Sequence, residues 1–300
     1  MNIDNAPVRF AALSGDGARL ENVMRLLRSR IAPIVGSDGE AKAVVRLIFS
    51  RLKGWDTTGL VVHAPDVLSE YVLSRLDAIV AEMEKHRPIQ YILGQARFYG
   101  MDLEVNPSTL IPRHETEELV DIIVGENGKR VDLRVLDIGT GSGAIAIALS
   151  RNLPFSRVTG IDVSVEAVAT ARRNAEALHA SVDFKVADIF TYAPERASLD
   201  IVVSNPPYVM EKEKKDMEPE VLDNEPATAL LVPDDDPLLY YRRIAEVAMD
   251  ALVRGGRLYF EINPLCADDL KRMLTDKGYS DIALAKDISG RERFCSARKK

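Results

Sequence analysis

From residue 134 onward the chain repeats one pattern: a short run of branched apolar residues, a turn, then a longer amphipathic stretch. "RVLDI" (134–138) leads through a glycine turn into "AIAIALSRN", and "RVTGID" (157–162) into "VSVEAVATARRNAEALH". "VDFKVADI" (182–189) and "LDIVVS" (199–204) come next, and "GRLYFEI" (256–262) lies between two further helical stretches. Strands alternating with helices in this rhythm predict an α/β fold with a parallel sheet covered on both faces. The last two runs, "SDIALAKD" and "RERFCSAR", are close enough to pair as a hairpin at one edge. The prediction is a doubly wound, mostly parallel, seven-stranded Rossmann-like sheet.

The first third reads differently. Leu20, Val23, Met24, Leu27 and Ile31 fall on one helical face, as do Ala41, Val44, Val45, Ile48 and Leu52. The stretch 65–86 reads as two more helices, with Pro65 at the start. Three hundred residues suffice for two domains. We therefore expect a helical bundle over 1–92, a linker with a short hairpin around Tyr99 and Gly100 over 93–112, and the sheet domain over 113–300.

A formal net charge of −7 speaks against a surface built to hold nucleic-acid phosphates. Two cysteines, Cys266 and Cys295, make neither a disulfide framework nor a zinc cluster, which fits a reduced, cytoplasmic setting. The four histidines show no ligand spacing, so no metal is expected. "MNIDNAPVRFAALSG" lacks the pattern of a signal peptide, and no apolar run is long enough for a membrane span.

"LDIGTGSGAIAIAL" is strand, glycine loop and helix. Gly139, Gly141 and Gly143 let a ligand approach the backbone beside a helix N-terminus. Asp162, at the end of the next strand, is placed to accept both hydroxyls of a ribose. Two cofactors stay open here. Gly139, Gly141 and Ala144 satisfy a dinucleotide fingerprint. The run from Asp137 to Gly143 leans toward S-adenosylmethionine. Asp188 ends the third strand, where it can accept from an adenine amine, with Ile189 against the ring; otherwise it is a helix cap.

The fourth strand ends in "SNPPYV". Two prolines stop the ladder and stiffen the chain beyond it, and N-P-P-Y arises by chance in about one chain of this length in a thousand. Ligands of open parallel sheets sit beyond the carboxyl ends of the strands, so this lip faces the same crevice as the glycine loop. The Asn205 side-chain carbonyl and the Pro206 backbone carbonyl can accept both protons of one planar NH2 group. Tyr208 can pack over the group that carries it. The lip thus suits an amide or aromatic amine held beside a methyl donor.

These motifs carry a resemblance. "RPIQYILGQARFYG", "LIPRHETEELV", "LDIGTGSGAIAIAL", "SNPPYV", "NEPATAL" and "GRERF" stand in the order seen in the peptide chain release factor glutamine methyltransferases. The resemblance implies N5-methylation of the glutamine in the GGQ motif of class I release factors, with S-adenosylmethionine as donor and S-adenosylhomocysteine as product. It implies donor contacts from Gly139, Thr140, Gly141, Ser142, Gly143, Asp162, Asp188, Ile189 and Asn205. Asn205, Pro206 and Tyr208 would carry the chemistry, with Pro207 and Phe98 also against the substrate and the Pro112–Arg113 segment at the entrance. The helical domain would dock the release factor, and a monomer without membrane or stable nucleic-acid binding is expected. The chain departs from the family at "EINPLCADDL", where a glycine and a glutamine are commoner, and at His114, where proline is commoner; neither departure is expected to touch the core chemistry, though the first could alter local substrate contacts.

Other readings remain beside this one: a methyltransferase of DNA or RNA amino groups, a non-catalytic binding module, and a nicotinamide dehydrogenase. Glu115, Glu117 and Glu118 read as a solvated helix start. "EKEKKDMEPE" (211–220) reads as a solvated loop or a mobile lid, "GRERF" as support for the final hairpin, and residues 297–300 as a frayed tail.

Overall fold

The computed structural model describes residues 8–300; residues 1–7, which hold part of the stretch lacking a signal-peptide pattern, lie outside the described residues. The chain divides between Leu93 and Gly94. The first unit is helical, with α1 (Leu20–Val35), α2 (Asp38–Lys53), α3 (Thr57–Val62), α4 (Glu70–Met83) and α5 (Ile89–Leu93). Leu20, Val23, Leu27 and Ile31 of α1 are buried together with Ile48, Phe49, Leu76 and Val80, as their helical spacing requires. The stretch 65–86 holds one helix instead of two. Ser69 Oγ accepts from Val72 N–H and starts α4 there, while Val67 is tied in an extended bridge to Arg19.

The second unit opens with a hairpin, β1 (Gln95–Phe98) and β2 (Met101–Glu104). Tyr99 and Gly100 turn it at φ 47° and 74°, the left-handed pair that suits a tight hairpin. This segment is built into the unit and is no free linker. Asn174 Oδ1 accepts from Glu104 N–H, and Asn174 Nδ2 donates to the Glu104 carbonyl. Phe98, Met101 and Leu103 enter the core.

Next in the chain are α6 (His114–Asn127), β3 (Arg134–Ile138), α7 (Ala144–Asn152), β4 (Arg157–Asp162), α8 (Val165–Ala177), β5 (Val182–Val186) and β6 (Leu199–Ser204). After β7 (Val209–Met210) come two short helices, α9 (Pro219–Asn224) and α10 (Ala227–Leu230), then β8 (Leu231–Val232) and α11 (Leu239–Ala251). The unit closes with β9 (Leu252–Glu261), α12 (Ala267–Asp276), β10 (Ser280–Lys286) and β11 (Glu292–Arg298). The sheet has seven strands in the order β10-β11-β9-β6-β3-β4-β5. The run from β9 to β5 is parallel, and β11 is antiparallel to both β9 and β10.

Adjacent residues of the buried strands feed opposite faces, as a period of two demands. Val135, Ile201, Val203 and Tyr259 meet α6, α7 and α8 on one side. Leu136, Val202, Leu258 and Phe260 meet α11 and α12 on the other. The sheet is doubly wound. Residues 297–300 are no frayed tail: Ala297 is buried in β11, and Lys299 exchanges backbone hydrogen bonds with Gly255 and Gly256. β11 lies inside the sheet, so its continuation is held by a neighbour.

Strand order reverses at β3, which has β4 on one side and β6 on the other. A crevice opens beyond the carboxyl ends of strands at such a point. Ile138 pairs with Ser204, the last residue of each strand, and Ser204 Oγ donates to the Ile138 carbonyl at 2.6 Å. The glycine loop and the N-P-P-Y lip therefore begin side by side.

Candidate active site

A cleft of about 310 Å³ lies at this reversal, lined by Gly139, Gly141, Asp162, Asp188, Ile189, Asn205, Pro206 and Pro207 among others. That volume falls in the range of small-molecule sites. Gly139 and Gly141 have φ 73° and 55°, and a Cβ on either would meet no atom within 4 Å. Their bare faces turn to open space.

The loop is already hydrogen-bonded to its own scaffold. Gly139 N–H and Thr140 N–H both donate to the Ile161 carbonyl, and Gly143 N–H donates to the Thr140 carbonyl. Gly141 N–H donates to Asp162 Oδ2 at 2.9 Å. A pyrophosphate cradle needs such donors free. The donor set thus disfavours a dinucleotide and suits an uncharged or zwitterionic ligand lying along the loop.

Asp162 also accepts from Ser164 N–H through Oδ1, and burial raises its carboxyl above the ordinary value. Each oxygen keeps a lone pair for a ribose hydroxyl. Asp188 Oδ1 accepts from Phe190 N–H, and Asp188 lines the cleft together with Ile189 and Phe190. Asp162→Ala is expected to weaken donor binding about 10- to 100-fold, the loss of charge-assisted hydrogen bonds, in a calorimetric titration with S-adenosylhomocysteine. An unchanged affinity would remove Asp162 from the cofactor site.

Three residues expected at the cofactor line no part of the cleft. Thr140 Oγ1 donates to buried Asp137 at 2.6 Å, whose carboxyl burial pushes up to about 7. The Ser142 carbonyl accepts from Asn174 Nδ2. Gly143 caps α7 against Phe184, Ala171 and Ile147. They shape the loop from behind.

Phe98 is a clearer correction. It is fully buried among core side chains and lines neither cavity, so it cannot touch a substrate. Its place in an alternating hairpin put the ring inward. The wall facing the lip comes instead from Ser108, Thr109 and Leu110, inside the stretch read as linker.

A second cavity, about 40 Å³, is lined by Leu110, Arg113, Asn205, Tyr208, Val209, Ala229, Leu230 and Glu261. It has room for a group of only a few heavy atoms. Asn205 lines both cavities. Glu261, at the end of β9, is 1% exposed. Its Oε1 accepts from the Tyr208 hydroxyl at 3.0 Å and its Oε2 from Thr116 Oγ1 at 2.6 Å. Asn205 Nδ2 donates to Thr116 Oγ1 at 3.3 Å. Burial, then the Glu261 charge, holds the Tyr208 phenol far above its usual range, so it remains a neutral donor. Arg113 pairs with Glu225 at 2.5 Å, and Glu225 Oε2 also accepts from Ile111 N–H.

Other readings change in detail. Glu117 accepts from Tyr99 N–H and Glu118 from Ile288 N–H, so this half-buried helix start also fastens the hairpin and the β10–β11 turn. Glu213, in the charge run, accepts from Met210 N–H and Asn263 Nδ2. The departure at "EINPLCADDL" does reach the lip: Asn263 Nδ2 donates to the Tyr208 carbonyl at 3.0 Å. In "GRERF", Arg291 N–H donates to Asp287 and Phe294 is buried, as support for the hairpin requires.

Reversed strand order, an internally bonded glycine loop over an acid, and a proline-stiffened lip together define a class I methyltransferase. Residues 118–234 match the model of the Methyltransferase small domain, and residues 35–94 that of the PrmC N-terminal domain. The chain is 47% identical over 261 residues to the release factor glutamine methyltransferase of Bacteroides thetaiotaomicron, covering 87% of this chain and 93% of that protein. The protein of the same name from Flavobacterium psychrophilum is 43% identical over 250 residues, 82% of this chain and 86% of that one. A methyltransferase from Pyrococcus furiosus shares the fold at a TM-score of 0.50 and 20% identity, over 67% of this chain and 90% of that one. The chain belongs to the release factor glutamine methyltransferase family.

Proposed function

We propose that the protein transfers a methyl group from S-adenosylmethionine to N5 of the glutamine in the GGQ motif of class I release factors. One observation carries this reading: Asn205 lines both a cofactor-sized cleft and a second, small cavity of the size of a carboxamide. The bound donor supplies an electrophilic methyl on a sulfonium. The side chains of this protein supply position and charge. An amide nitrogen is a poor nucleophile because its lone pair is shared with the carbonyl. The Asn205 and Pro206 carbonyls, accepting its two N–H groups, return electron density to it and aim it toward the cleft. As the nitrogen–carbon bond forms and the carbon–sulfur bond breaks, positive charge grows on nitrogen beside those two dipoles. The amide proton becomes acidic only then, so it can leave late and no dedicated base is required. Tyr208 covers the planar group, and Arg113, held by Glu225, lines the small cavity.

In this reading the helical unit docks the release factor, the protein acts as a cytoplasmic monomer, and neither a metal nor stable nucleic-acid binding takes part. Incubation with donor and a recombinant release factor should add one methyl to the GGQ glutamine, seen by peptide mass spectrometry. Absence of that methyl from a protein that binds the donor would overturn the reading. Transfer to an RNA or DNA duplex in the same assay would favour the nucleic-acid alternative, and binding without transfer to any acceptor a non-catalytic one.

A further inference from the structure

We infer that Glu261 is a positioning residue that sets the direction of the Asn205 amide through Thr116, an inference that rests on the proposed role of the lip. An ionised carboxylate can only accept hydrogen bonds. Thr116 therefore spends its single hydroxyl proton on Glu261, at 2.6 Å. Its oxygen then offers only lone pairs to Asn205. The Asn205 NH2 must turn toward Thr116, at 3.3 Å, and the Asn205 carbonyl must turn away, where it can accept from a substrate N–H. The same carboxylate anchors the Tyr208 hydroxyl at 3.0 Å. One buried charge on β9 thus fixes both polar members of the lip, and neither of them needs substrate to be oriented.

The relay is directional and reversible in sign. A protonated Glu261 would donate to Thr116, free the threonine proton for Asn205, and turn the asparagine NH2 toward the substrate NH2. Two donors would then face each other. Burial, with the Glu115 charge of α6 behind it, raises the Glu261 carboxyl above its ordinary value, against the hydrogen bonds from Thr116 and Tyr208 and the charge of Arg293 on β11. Acid therefore reverses the relay at a higher pH than an exposed glutamate would allow.

Single-turnover methyl transfer separates the possibilities, with donor affinity measured alongside to certify folding. Thr116→Val should slow transfer about 100-fold, the cost of a misdirected group at a reacting centre, while Thr116→Ser stays close to the wild-type rate. Glu261→Gln mimics the protonated acid and should slow transfer comparably and abolish the acid limb expected of wild type. The double variant Thr116→Val/Glu261→Gln should lose less than the product of the two single losses, because the Thr116 hydroxyl is common to both and only the Tyr208 contact is altered by Glu261→Gln alone. Asn205→Ala is run beside them. If it is inactive while Thr116→Val runs near the wild-type rate, or if the two single losses multiply, the relay is overturned and the lip survives. If Asn205→Ala is active, the lip reading itself fails. Should Glu261→Gln not fold, the valine against serine comparison at Thr116 decides alone.

Discussion

Asn205→Ala is expected to reduce methyl transfer by about 10²- to 10³-fold, the range seen when one preorganised polar group is removed from a developing charge. On the proposed role of the lip, the substitution removes one of two acceptors for the substrate NH2. It leaves Pro206 in place, and it leaves the buried Ser204 anchor on Ile138 intact. Donor affinity should fall less than the rate, because Asn205 is one of many residues that line the cleft. The larger loss should therefore appear in the rate at saturating donor. A variant that transfers methyl within a few-fold of wild type would sink the assignment of Asn205 to the chemistry.

The second large effect concerns stability. Gly143→Ala should destabilise the sheet unit by about 2–5 kcal/mol, combining left-handed strain with overpacking. Gly143 has φ 83°, and a Cβ there would lie 2.9 Å from Phe184 and 3.1 Å from Ala171 and Ile147. Those neighbours are core side chains with nowhere to move. Such a loss is a large share of ordinary native stability and should lower the melting temperature by roughly 5–20 °C. Gly139→Ala provides the contrast. It has a similar φ of 73° but open space around its Cβ, so strain alone remains, with the new methyl facing the cleft. Thermal melts of both variants beside wild type, followed by circular dichroism, give the comparison. Equal melting temperatures for Gly143→Ala and wild type would refute the packing role.

How much of the fold and site was legible in the sequence depended on whether the information was local. Periodicity is local, so "RVLDI", "RVTGID" and "LDIVVS" appear as β3, β4 and β6 with the expected boundaries. Turn chemistry is local too, and the hairpin at Tyr99–Gly100 forms as expected. N-P-P-Y stood out by rarity. Phe98 misled because a motif says nothing about which face of a two-residue repeat meets the core. Thr116 had no signal at all: a threonine among glutamates gains meaning only when β9 brings Glu261 beneath it. Glu261 did carry one, as a carboxylate ending a run of buried apolar residues, where an isolated charge is costly. Ser108–Leu110 were hidden in a stretch whose prolines and polar residues resemble a linker until tertiary contacts fasten it. Asn263 stands in a segment that departs from the family, but its bond to the Tyr208 carbonyl crosses from one loop to another and leaves no trace in sequence.

The two-residue ladder of β7 and β8 pairs Val209 with Leu231 and Met210 with Val232. It sets the two feet of the excursion 211–230 side by side, and Met210 and Val232 are buried with Cys266 beneath them. Lengthening a surface excursion whose feet are fixed costs little, about 0.6 kcal/mol for a doubling. Insertions near Met217 would be felt by whatever meets the outer surface, and hardly by Tyr208 on the inner side of the clamp. The stretch around Met217, between the anchors Glu213 and Glu225, is thus free to diverge in length and charge among descendants of this chain, so that recognition can evolve there while the residues lining the cleft stay the same.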